Sequence, residues 1–89
     1  MTLFKAQTIP QFMIHQFLVK EGLQPAAVAA VSFPDRDSVS ISDGEGSAMT
    51  VQLVGAGVYD FTYSIHGEKS TERRLNPDEL NVTSPEAAP

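Results

Sequence analysis

The chain contains no cysteine and no tryptophan among its 89 residues, and only six lysines and arginines stand against eleven aspartates and glutamates. Without cysteine there is no disulfide, no thiolate nucleophile and no cysteine-ligated zinc site, and the composition suits a reducing compartment. The formal charge of -5 and pI near 4.7 argue against a general nucleic-acid binder, which needs cations to neutralise phosphates. A charge of that size is also what solubility asks of a small domain, whereas a nucleic-acid mimic needs a denser acidic face. Long apolar runs are absent too. The stretch from Phe12 to Val19 is interrupted by His15 and Gln16 and is too short to span a bilayer. Met1 to Thr8 carries one lysine and no apolar core of a signal peptide, so the cytoplasm is the expected location.

What remains is ordinary globular material, 42% hydrophobic and 19% charged, in a chain with room for one domain. At this size a folded chain buries only about 60–65% of its unfolded surface. With neither disulfide nor metal, association is a natural source of extra stability, and a homodimer is expected on that ground.

Two kinds of periodicity divide the sequence. A helix is predicted from about Ile9 to Glu21, with Thr8 as N-cap, Gln11 completing a T-x-x-Q capping box, Pro10 in the first turn, Lys20 in the last and Gly22 to close it. Its apolar residues are Ile9, Phe12, Met13, Ile14, Phe17, Leu18 and Val19, an arc wider than one sheet face requires; Gln11 and His15 form the polar sector. Ile9, Met13, Phe17 and Leu18 are expected to face the sheet. Phe12, Ile14, Val19 and His15 are expected on a spare flank open to a partner. Residues 26–33 read equally as a short alanine-rich helix or as a first strand through Val31 and Phe33.

From Ser38 the period changes to two. Segments 38–42, 48–54 and 58–65 place Val39, Ile41, Met49, Val51, Leu53, Tyr59, Phe61, Tyr63 and Ile65 on one face. Short glycine-bearing connections join them as antiparallel neighbours. Residues 68–75 could add a charged edge strand, and 76–80 read as a capped helical turn. The expected fold is therefore α+β: an N-terminal helix on one face of a three- to four-stranded antiparallel β-meander, one domain over 1–80, with a flexible tail over 81–89.

Motifs of known chemistry are sparse. His15 has Gln11 and Val19 at its i±4 positions, so no helical metal pair exists. Neither Asp35-Arg36-Asp37 nor Asp43-Gly44-Glu45 supports an EF-hand: from Asp35 the fifth position is Val39, and from Asp43 the twelfth is Val54. Gly44-Glu45-Gly46 and Gly55-Ala56-Gly57 lie between strands, where hairpin turns account for them, and no Walker lysine follows. Asn81-Val82-Thr83 matches a glycosylation sequon, read as a chance match without a secretion signal. No cofactor is implied.

The expected role is a non-enzymatic protein–protein interaction module, an adaptor, accessory or inhibitor subunit of the kind phages and mobile elements carry. It would work through Phe12, Ile14, His15 and Val19, with the outer face of the 48–54 or 58–65 strand as an accessory surface. The alternative is a small nucleic-acid-binding protein using Lys69, Arg73 and Arg74, and a hydrolase or isomerase built on Asp60 and His66 is a remote third.

Overall fold

The computed structural model describes residues 2–79, and the tail expected over 81–89, with its sequon, lies outside them. The element order is α1 (Ile9–Lys20), a single 3-10 turn (Pro25–Ala27), β1 (Ala30–Ser32), β2 (Ser38–Ser42), β3 (Ser47–Gly55), β4 (Val58–Ile65) and β5 (Glu68–Leu75). The five strands form one antiparallel sheet in sequence order, with α1 on one face. This is the α+β meander expected, with five strands in place of three or four. Residues 26–33 resolve their ambiguity by being both: Ala26 and Ala27 complete the 3-10 turn, and Val31 sits opposite Ile41 in a three-residue strand that ends before Phe33.

Local chemistry sets the helix ends. The Thr8 hydroxyl accepts the Gln11 N–H at 3.2 Å. The reciprocal half of the capping box is displaced by one residue, because the Gln11 side-chain oxygen accepts from Gln7 N at 2.9 Å and not from Thr8. At the other end Gly22 adopts φ +96°, Gly22 N–H bonds to Val19 O, and Leu23 N–H bonds to Leu18 O. That paired arrangement is a Schellman closure and needs the left-handed residue glycine supplies.

The register carries the core. Val39 pairs with Val51, and Val51 with Phe61. All three are essentially buried, with Ile41 and Tyr59 beside them. Phe17 descends from α1 onto this platform, stacked on Tyr59 with ring centroids 4.3 Å apart and planes 12° from parallel, and tilted against Phe61 at 6.1 Å. Met49, Leu53 and Tyr63 pack at the margin. Ile65 follows the same parity, yet is 53% exposed because it lies past the cover of the helix. Leu3 and Phe4, which show no periodicity in the sequence, also enter the core.

The β4–β5 connection is a two-residue turn in which His66 (φ +50°) and Gly67 (φ +90°) are both left-handed, the geometry of a type I′ hairpin. Gly46 is required for a different reason: a Cβ there would stand 2.7 Å from His66 Nδ1.

Candidate interaction surface

The helix flank differs from the expected one at specific residues. Ile14 is fully buried and His15 is 7% exposed, so neither forms an open surface. Val19 is half-buried and packs against the core. Phe12 remains, 54% exposed, and Ile9, expected to face the sheet, is 77% exposed. Ile9 is the first helical residue, ahead of the turns that carry the buried Ile14, Phe17 and Leu18. Of the other expected sheet-facing residues, Phe17 and Leu18 are buried and Met13 is half-buried.

Gln11 and His15 form a polar sector that is buried because each is used by backbone from elsewhere in the chain. Gln11 receives Gln7 N–H and donates its amide to Asp35 O at 2.9 Å. The Thr8 hydroxyl donates to Arg36 O at 2.6 Å beside it. These contacts clamp the start of α1 to the turn between β1 and β2. His15 Nε2 accepts Leu3 N–H at 2.9 Å, its ring meets Phe4 edge-on at 4.9 Å, and Nδ1 lies 2.8 Å from Gln16 Oε1. An acceptor at Nε2 fixes the tautomer protonated at Nδ1, which then donates to Gln16. His15 is therefore the pin that seats the N-terminal segment, a role hidden in the sequence because its partner is a backbone amide.

Seating that segment creates the groove. Thr2, Phe4, Lys5, Phe12, His15 and Gln16 line a cleft of about 500 Å³ between residues 2–6 and the outward side of α1. Phe12 and Gln16 lie along one helical line at its wall, and Ile9 extends that line toward the start of the helix at i, i+3 and i+7.

The basic segment does not gather into a patch. Arg73 lies on the outer face of the sheet, directly across from Asp60, and grips it through Nε–Oδ1 at 2.7 Å and Nη2–Oδ2 at 3.0 Å. The hydrogen bonds from Arg73 hold the Asp60 carboxyl below the usual range. Arg74 points to the opposite, helix-bearing face. It pairs with Glu72 and Glu21, bonds Tyr63 Oη at 3.2 Å and stacks over the Phe61 ring at 4.8 Å. Lys69 sits opposite Ser64 at the far end of the outer face. Both arginines are thus neutralised by neighbours and lie on opposite faces of the sheet. Around Asp60 the outer face is a shallow polar groove of about 420 Å³, with Thr50, Gln52, Thr62, Thr71 and Arg73 on its walls.

A polar latch centred on the buried Asn76 closes the other end of the helix. Lys20 Nζ donates to Asn76 Oδ1 at 2.9 Å and Asp78 Oδ2 at 2.7 Å. The Glu79 carboxylate accepts from Gly57 N–H at 3.0 Å, from Asn76 Nδ2 at 2.8 Å and from Tyr59 Oη. Burial of Tyr59, with Glu79 beside it, raises its phenol well above the ordinary tyrosine range.

Among the described residues no cluster of three or more His, Asp or Glu could hold a metal, and no helix is long and apolar enough to cross a membrane. No protein-family model matches the chain, and neither does any curated protein or solved structure.

Proposed function

We propose that this chain is a protein-binding module that performs no covalent chemistry and docks an apolar partner surface on the outer flank of α1. The observation that carries the reading is the exposure of Ile9 (77%) and Phe12 (54%) on successive turns beside the groove behind residues 2–6. Covering what remains exposed of the two side chains is worth about 1–2 kcal/mol each, a useful gain for a domain with neither disulfide nor metal. The first occupant to test is a second copy of the chain; an adaptor or inhibitor role follows where the occupant is another protein. The cysteine-free composition suits the cytoplasm, which we propose as its compartment.

Phe12→Glu is the discriminating variant, because the ring has little to do with the chain's own core. Val19→Glu would confound the test, since Val19 packs against that core. We expect the native chain to show a dimer mass by sedimentation, or to retain a defined partner. Phe12→Glu should abolish that association while the chain keeps its native circular-dichroism spectrum, with the thermal midpoint lowered only by the lost association and no longer dependent on protein concentration. A native chain that stays monomeric, and whose partners survive Phe12→Glu, refutes the helix-flank reading.

A further inference from the structure

The helix is too short to roof its sheet. Twelve residues of α1 extend about 18 Å, whereas the nine residues of β3 extend about 30 Å. The uncovered end is where β3 begins and β4 finishes, with Met49 opposite Tyr63 and Ser47 opposite Ile65. There Leu23, Ala27, Ile41, Met49, Tyr63 and Ile65 line an apolar groove of about 170 Å³. That is the room of about five or six waters, enough for one large side chain.

Carboxylates flank this groove on both sides. Asp43, at the end of β2, is one of its lining residues. The Glu45 N–H at 2.7 Å and the Ser47 N–H at 3.2 Å hold its carboxyl below the usual range, so it is charged at neutral pH. Glu68, at the start of β5, lies directly across from Ile65 and therefore on the same face. Neither takes part in any ion pair among the described residues. Arg74, the cation on this face of β5, is engaged by Glu21 and Glu72, and Lys69 belongs to the opposite face.

We propose that this groove docks a segment of a partner polypeptide that inserts one large aliphatic or aromatic side chain flanked by lysine or arginine. The cavity admits one anchor and the rim selects its neighbours. A second copy is disfavoured here, because a chain of net charge -5 brings like charge to an acidic rim. Residues 80–89 also fail the description, with one glutamate and no lysine or arginine. The surface is separate from the α1 flank and stands or falls independently of it.

The test is selection of a random peptide-display library on the immobilised full chain, followed by affinity measurement on the enriched peptides. The expected consensus pairs a large apolar residue with adjacent lysine or arginine. Ile65→Ser should weaken binding by about tenfold. The double variant Asp43→Asn, Glu68→Gln should weaken it by about three- to fivefold and flatten its salt dependence. Phe12→Glu should change nothing, which separates this site from the helix flank. Ile65, Asp43 and Glu68 lie outside the buried core, and a circular-dichroism melt on each variant verifies its fold. Enrichment of no peptide, enrichment of acidic or uncharged sequences, or binding indifferent to Ile65→Ser would each overturn the proposal.

Discussion

Phe17→Ala asks the most of this fold, because one ring joins its two layers. Phe17 is 2% exposed and contacts two aromatic residues of the same strand, Tyr59 and Phe61, which are themselves 0% and 1% exposed. Truncation removes the transfer free energy of the ring and leaves a cavity. Phenylalanine-to-alanine changes in cores cost about 3–5 kcal/mol, depending on how far the site can collapse. Here collapse is restricted: the floor is a hydrogen-bonded strand between two neighbours, and the roof is clamped at Thr8, Gln11 and Lys20. The stacking with Tyr59 adds about 0.5–1.5 kcal/mol, so the expected loss lies at the upper end, about 4–5 kcal/mol. A domain of this length has about 4–13 kcal/mol in total, which puts the variant at the edge of folding. Phe17→Leu keeps most of the volume and should lose about 1–2 kcal/mol, providing a measurable midpoint. Urea titration by far-ultraviolet circular dichroism reads both variants, with an unchanged denaturant slope for Phe17→Leu. A loss below about 1 kcal/mol for Phe17→Ala would show that α1 does not hold the sheet through this ring.

Two further outcomes follow from the buried contacts. His15→Leu keeps a buried apolar body but leaves Leu3 N–H without its acceptor, and should cost about 1–3 kcal/mol; hydrogen exchange at the Leu3 amide should rise in that variant, and unchanged exchange there would remove His15 from its role as the pin. In a Tyr63→Phe background the remaining phenol, Tyr59, should resist ionisation in the folded chain, because burial and Glu79 raise its proton affinity. An unfolded tyrosine ionises near pH 10, so this contribution to stability is complete below about pH 10 and declines as the pH climbs beyond it. Tyrosinate absorbance should then appear together with loss of circular dichroism, and its appearance near pH 10 in a still-folded chain would contradict the burial.

Much of the architecture is legible in the residues themselves. Thr8 and Gly22 mark the helix because capping is local chemistry, and alternation from Val39 to Tyr63 identifies the inward face because strand parity is a one-residue decision. Short glycine turns then order the strands. What the sequence conceals depends on contacts between distant segments. Leu3 and Phe4 have no period to announce them. Gln11 and His15 are polar and read as solvent-facing, but their partners are backbone groups of Leu3, Gln7 and Asp35. The spare flank consequently keeps Phe12, loses Ile14, His15 and Val19, and gains Ile9. Ile65 has the expected parity but lacks a roof, because periodicity says which way a side chain points and nothing about how far a helix reaches. Charge cancellation is equally invisible: Lys69, Arg73 and Arg74 are close in sequence, and the pleat sends Arg73 and Arg74 to opposite faces.

The sequential strand order has a kinetic meaning. Every pairing in the sheet, β1 to β5, joins consecutive strands, so each hairpin can close without waiting for distant chain, and rapid folding is the expectation for such local topology. The aromatic floor is a different matter. Tyr59 reaches back 46 residues to Met13, and Lys20 reaches forward 56 residues to Asn76. During synthesis α1 leaves the ribosome before β4 and cannot bury Phe17 until β4 has followed. Until then α1 exposes the same Ile9 and Phe12 that stay exposed at the end, together with Ile14, Phe17 and Leu18, which do not. A nascent chain stalled before Val58 therefore presents a far more adhesive helix than the finished protein does, and chaperone capture should concentrate in that interval.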